Sequence, residues 1–150
     1  MTTTDTLQKL DIFKGLSEEQ LAVIAGLTEL KKIPSGEALF KEREVAKHIY
    51  ILLKGKVRIQ VQLTSSPETI AITVLSQNGS LIGWSGLAPE QYYTAAAICQ
   101  EDTELLAIKG AQLIKALEED CDMGFKVIRR ISGVISSRLR NIQSIVLKTL

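Results

Sequence analysis

Ile49-Tyr50-Ile51-Leu52-Leu53-Lys54-Gly55-Lys56-Val57 is the stretch that decides the fold. Ile49, Ile51 and Leu53 alternate, Lys54-Gly55 turns the chain, and Val57, Ile59, Val61 and Leu63 then alternate with Arg58, Gln60 and Gln62. A period of two on both sides of a glycine turn predicts a pair of strands, the second half-buried. The same grammar continues in both directions. Downstream, Ser65-Ser66-Pro67 makes a turn, and Ile70, Ile72 and Val74 alternate with Ala71 and Thr73. Asn78-Gly79 turns the chain again, followed by Gly83, Gly86 and Pro89. Residues 92–98 and 103–108 supply the last two strand candidates, with Gln100-Glu101-Asp102 between them. Upstream, Pro34-Ser35-Gly36 marks the change of period. Short strands about ten residues apart, separated by turn residues, predict an antiparallel sandwich or barrel.

Helices flank this block. Residues 5–27 read as helical in two pieces broken at Gly15, with Ser17-Glu18-Glu19-Gln20 as a capping box ahead of Leu21, Ile24, Ala25 and Leu27. After Gly110, residues 111–119 and 124–148 are predicted helices. The organisation expected is one domain over 1–150: helical 5–27, β-rich 28–109 and helical 111–148, mainly β with flanking α.

Composition excludes several function classes. With 150 residues, 45% hydrophobic and 23% charged, the chain is neither disordered nor fibrous. Its two cysteines, Cys99 and Cys121, lack the CxxC spacing of a zinc ribbon and are too few for a disulfide scaffold; both are expected to be reduced and buried. The N-terminus carries no signal-peptide pattern and no stretch approaches a membrane span, so a cytoplasmic location is expected, with no membrane partner. The single histidine, His48, is too little imidazole for a histidine metal site or a histidine pair, and its apolar surroundings give it a structural reading. No enzyme activity, cofactor or metal is expected.

Specific residues carry a resemblance. Phe-x-Gly-Leu-Ser at 13–17, Pro-x-Gly-Glu-x-Leu-Phe-x-Glu at 34–42, Ile-Tyr-Ile-Leu-Leu-x-Gly-x-Val at 49–57 and Val-Leu-x-x-x-Gly-x-Leu-Ile-Gly at 74–83 resemble the cyclic nucleotide-binding domain family, which includes the sensor domains of CRP/FNR-type regulators. The resemblance covers about residues 10–148 and implies an antiparallel β jelly roll (a double-stranded β-helix) with N-terminal helices and a long C-terminal helix. It also implies a ligand site on Gly83, Trp84, Ser85, Gly86, Leu87, Tyr93, Thr94 and Ala95. In the family the first five form a phosphate-binding cassette, a short helix whose backbone N–H groups meet the cyclic phosphate.

Two departures bear on the ligand. Where the family carries a glutamate for the ribose hydroxyl this chain has Trp84, and where it carries the phosphate-pairing arginine this chain has Tyr93. A missing guanidinium at a buried phosphate costs ~2–5 kcal/mol. No basic residue lies between Arg58 and Lys109 in the sequence. The expectation is a sensor or regulatory module in signal transduction with altered ligand specificity, or with no cAMP or cGMP binding. The alternative is a degenerate sensor acting through dimerisation. A cupin-like enzyme and a DNA-binding protein rank behind these, for want of histidines and of a groove-reading motif.

Ile128, Ile131, Ile135, Ile142 and Ile145 follow a heptad rhythm interrupted at Arg138, and Leu139 and Val146 widen the stripe. The pattern predicts a homodimer through the terminal helix, as the resemblance also implies. A CRP-type regulator would continue into a helix-turn-helix beyond this helix; the chain is expected to be either a stand-alone sensor or part of a longer regulator, and not itself to bind DNA. Charge is uneven beneath the net +1. Residues 1–64 hold ten basic and eight acidic side chains, 65–122 two basic and nine acidic, and 123–150 six basic and none acidic. The cassette therefore lies in the most acidic segment, which disfavours an anionic ligand.

Overall fold

Antiparallel pairing gathers eight strands into two four-stranded sheets in the computed structural model, which describes residues 2–89 and 91–149. The strands are β1 Thr28–Ile33, β2 Ala38–Phe40, β3 His48–Lys54, β4 Val57–Gln62, β5 Thr69–Leu75, β6 Leu81–Ile82, β7 Ala96–Cys99 and β8 Thr103–Lys109. One sheet runs β1-β8-β3-β6 and the other β2-β7-β4-β5. Tyr50, Leu52, Ile82, Leu105 and Ala107 of the first sheet and Phe40, Val57, Ala97 and Cys99 of the second share one core, as packed antiparallel layers require. The antiparallel roll with helices before and after it agrees with the fold expected from the sequence.

Residues 26–115 form one compact unit and residues 1–25 with 116–150 another. In the first, the deciding stretch behaves differently from its period. Ile49 to Leu52 are buried on both faces of β3: Tyr50 and Leu52 face the core shared with the second sheet, and on the opposite face Ile49 lies against Gly86. Gly55 closes the β3–β4 turn at φ +116, and a Cβ there would strike the Thr103 side chain. β5 carries one irregularity: Ile59 and Gln60 pair with Thr73 and Ala71, leaving Ile72 unpaired in register.

The helical unit holds α1 Thr3–Gln8, a 3-10 turn Asp11–Phe13, α2 Glu18–Ala25 and all of α4 Cys121–Thr149; the chain enters it within α3 Gly110–Glu119. The helix predicted from residue 5 thus begins earlier and breaks before Gly15. The Ser17 capping box is present: Gln20 N–H donates to Ser17 Oγ at 3.1 Å, and Ser17 N–H to Gln20 Oε1 at 3.0 Å. Gln20 Nε2 then donates to Asp120 Oδ2 at 3.0 Å and Asp122 Oδ2 at 3.1 Å, tying α2 to the start of α4. Met123, Val127 and Ile131 are buried along the first half of α4, and no residue after Ile131 through Thr149 is.

Two further expectations need correction. Residues 92–95 are not strand: Tyr92 makes only an isolated bridge to Val45, and β7 begins at Ala96. Cys99 is buried as expected, but Cys121 is exposed at the first position of α4.

Candidate functional site

Gly83 opens the candidate site in the left-handed region, φ +78, directly after β6. That conformation costs a glycine little and turns the chain into a 3-10 helix, Trp84–Leu87. Gly86 N–H donates to Gly83 O and Ala88 N–H to Ser85 O, each at 3.1 Å. Gly86 is buried on β3, where a Cβ would stand 2.8 Å from the His48 carbonyl oxygen. Trp84, Ser85 and Leu87 are half-buried. A short helix thus lies where the family resemblance implies one.

Tyr93 lies against the other side of Gly83. Its ring stacks on Phe40 with centroids 3.7 Å apart and planes 12° from parallel. A Cβ on Gly83 would meet Tyr93 Cε1 at 3.1 Å and Phe40 Cε2 at 3.2 Å, so the two rings fill the space beside the glycine. The Tyr93 hydroxyl donates to the His48 carbonyl oxygen at 2.7 Å. Burial pushes the phenol well above its usual value, and Tyr50 beside it adds to the effect. Tyr93 is therefore a neutral core side chain with its donor already used. Thr94 is exposed and Ala95 half-buried, so of the three residues after the cassette only Tyr93 is built into the interior.

The backbone around Tyr93 is equally fixed. Arg43 N–H donates to Tyr93 O at 2.8 Å, Tyr93 N–H to Glu44 O at 3.0 Å, and Ala46 N–H to Gln91 O at 2.6 Å. The β2–β3 connection thus runs beside residues 91–93. Sequence order conceals this: the nearest basic residues on either side are Arg58 and Lys109, yet Arg43 is bonded to Tyr93 through its main chain. Sequence reasoning also misses Phe40 as Tyr93's stacking partner, although it lies in the quoted 34–42 pattern. His48 contributes its carbonyl to the site, and burial holds its imidazole below the usual value, with Lys31 and Lys109 reinforcing the effect.

The predicted dimer residues divide. Ile131 is 4% exposed and belongs to the helical core, so it does not lie on the open stripe. Ile128, Ile135, Leu139, Ile142, Ile145 and Val146 are all exposed, as are Phe125 and Leu147. Among the described residues there is no cluster of His, Cys, Asp and Glu able to hold a metal ion, and no helix long and apolar enough to cross a membrane.

The family model described as the cyclic nucleotide-binding domain matches residues 30–120. The cyclic AMP receptor protein of Thermus thermophilus is 31% identical over 98 residues, 65% of this chain and 44% of that protein. The cGMP-dependent protein kinase egl-4 of Caenorhabditis elegans is 28% identical over 94 residues, 63% of this chain and 12% of the kinase. The matches thus span less than half the length of these relatives. Among solved structures, a cyclic nucleotide-binding domain from Methylobacillus flagellatus superposes with a TM-score of 0.83 over 99% of this chain and 82% of that one, at 17% identity. Roll, cassette turn and family model coincide on one stretch of sequence, and the chain belongs to the cyclic nucleotide-binding domain family.

Proposed function

We propose that the chain is a sensor or regulatory module on the cyclic nucleotide-binding fold, with a pocket altered away from cAMP and cGMP. The observation that carries this is the burial of Tyr93 at the family's arginine position, stacked on Phe40 and bonded to the His48 carbonyl. A neutral, already-bonded hydroxyl neutralises no phosphate. Trp84 replaces the ribose-binding carboxylate, and the surrounding segment 65–122 is the most acidic in the chain. Calorimetric titration of the full chain with cAMP and cGMP tests the reading: no saturable heat at micromolar concentration is expected, and micromolar binding of either overturns it.

The exposed half of α4 supports a second role, homodimerisation. Ile128, Ile135 and Ile142 recur every seven residues, with Leu139 and Val146 alongside, on a helix about 43 Å long. At ~100° per residue, Lys126, Arg129, Arg130, Arg140 and Lys148 all fall roughly 120° or more from the Ile135 direction; Arg138 alone borders the stripe. Two copies meeting along it would therefore keep five of the six cations outward, and the basic character of 123–150 does not oppose self-association. Cytoplasmic residence and the absence of catalysis and direct DNA binding belong to the same reading.

A further inference from the structure

A separate half-open surface cavity of about 490 Å³ lies beside the segment that fixes Tyr93, lined by half-buried Glu42 and Leu63 and by exposed Arg43, Gln62 and Thr64. None of these residues belongs to the cassette. The volume suits a small metabolite. Arg43 adopts φ +72, the only non-glycine positive φ among the described residues. A side chain held in that region points to a local constraint with a use. Among the described residues its guanidinium has no ion-pair or hydrogen-bond partner in the structure, while its N–H is committed to Tyr93 O. Glu42 is held in place: its Oε1 accepts the Gln62 N–H at 3.1 Å, beyond the point where β7 stops pairing with β4.

The lining thus combines one fixed carboxylate, one adjacent guanidinium, an amide, a hydroxyl and one leucine. We propose that this cavity binds a small zwitterion of the α-amino acid class, its carboxylate paired with Arg43 and its ammonium with Glu42. A simple anion would meet the Glu42 carboxylate and a simple cation the Arg43 guanidinium; a zwitterion satisfies both. The site's connection to the cassette is short, because Arg43 and Glu44 hold Tyr93 through both of its main-chain groups. Ordering of Arg43 by a ligand would therefore be felt at the residue that packs on Gly83. This inference rests on the sensor reading above and names its ligand class.

The test is calorimetric titration of the full chain with each of the common L-α-amino acids, with acetate and ethylamine as single-group controls. Arg43→Gly removes the guanidinium and accepts φ +72 without strain, and Glu42→Gln keeps an acceptor for Gln62 N–H, so both variants are expected to fold. At least one amino acid should give saturable heat, neither control should, and each variant should weaken binding by at least about tenfold. The assignment is overturned if no amino acid binds, or if Arg43→Gly binds as tightly as the parent chain. Amino acid binding indifferent to Arg43→Gly removes the cavity but leaves the sensor reading standing; micromolar cAMP binding overturns the altered pocket, while the amino acid titration still decides the cavity.

Discussion

Tyr93 and His48, forty-five residues apart, are joined by a 2.7 Å hydrogen bond from the tyrosine hydroxyl to the histidine's main-chain carbonyl. That bond holds a buried side chain in the core, at a position where the family resemblance implies a ligand contact. Phe40 on one side of the ring and Gly83 beside it complete the support.

Removing only the hydroxyl isolates the bond. Tyr93→Phe keeps the ring stack and leaves the part-buried His48 carbonyl without this donor, a loss of about 1 kcal/mol. For a chain of this length that corresponds to a melting temperature lower by roughly 2–4 °C. Tyr93→Ala also removes the stacked ring and should cost about 3–5 kcal/mol. Equal melting temperatures for Tyr93→Phe and the parent chain would show that the bond contributes nothing.

Gly83 is constrained twice, by its φ of +78 and by the two rings, whose nearest carbons would stand 3.1 and 3.2 Å from an added Cβ. Gly83→Ala is therefore expected to destabilise by about 1–3 kcal/mol, read as a fall in the urea midpoint at unchanged slope. Gly36→Ala, with a similar φ of +88 but nothing within 4 Å of the added carbon, separates the backbone effect from the contact. If the two variants are equally stable, the Tyr93–Phe40 packing is not tight against Gly83.

How far these relationships are legible in the sequence follows from their range. The β3–β4 hairpin and the Ser17 cap are local, set by period, side-chain chemistry and glycine, and can be read directly; the short helix after Gly83 is legible through the family resemblance. Among the partners of Tyr93 are Phe40, His48, Arg43 and Glu44, each forty-five or more residues away, and one sequence carries no signal for such pairs. The wrong strand at 92–95 has the same origin: Tyr92 and Tyr93 have high β-propensity, but their main chain pairs with the β2–β3 connection rather than with a sheet. The heptad pattern places Ile131 on the open stripe wrongly, because such a pattern does not say which of two adjacent apolar faces a helix buries.

The two cysteines should differ sharply in reactivity. Cys99 is buried and burial raises its thiol above the usual value, with the nearby Thr103 hydroxyl acting the other way. Cys121 is exposed at the head of α4. A thiol reagent such as 5,5′-dithiobis(2-nitrobenzoate) is expected to label one cysteine rapidly, identified as Cys121 by peptide mapping, and Cys99 only on unfolding. Rapid labelling of both would contradict the burial of β7.

Acid should loosen the link between α2 and α4. Hydrogen bonds from Gln20 lower both Asp120 and Asp122 below the ordinary aspartate value of 3.8, aided by the Met123 N–H at the first and by Lys126 at the second. Because the folded values lie below the unfolded ones, the stabilisation is present above about pH 3.8 and is lost as pH falls through the lowered folded values. Gln20→Ala should reduce this part of the acid dependence, measured as the shift in unfolding midpoint between about pH 6 and about pH 3. Identical pH profiles for variant and parent would mean that Gln20 does not set these carboxylates.

The last prediction separates the two apolar faces of α4. Ile131 is part of the helical core, whereas Leu139 is 54% exposed on the open stripe. Ile131→Ala is expected to destabilise the fold by about 2–5 kcal/mol, because it leaves a cavity among buried side chains. Leu139→Lys changes an exposed position outside the buried core and should leave the helical content unchanged by circular dichroism. On the proposed dimer, however, it places a cation beside Ile135 and Ile142 on each copy, where water is excluded and the like charges oppose each other. Light scattering should then report the parent chain as a dimer and Leu139→Lys as a monomer at the same concentration. A variant that stays dimeric would show that α4 pairs through another face, and a monomeric parent chain that the stripe is not a self-association surface.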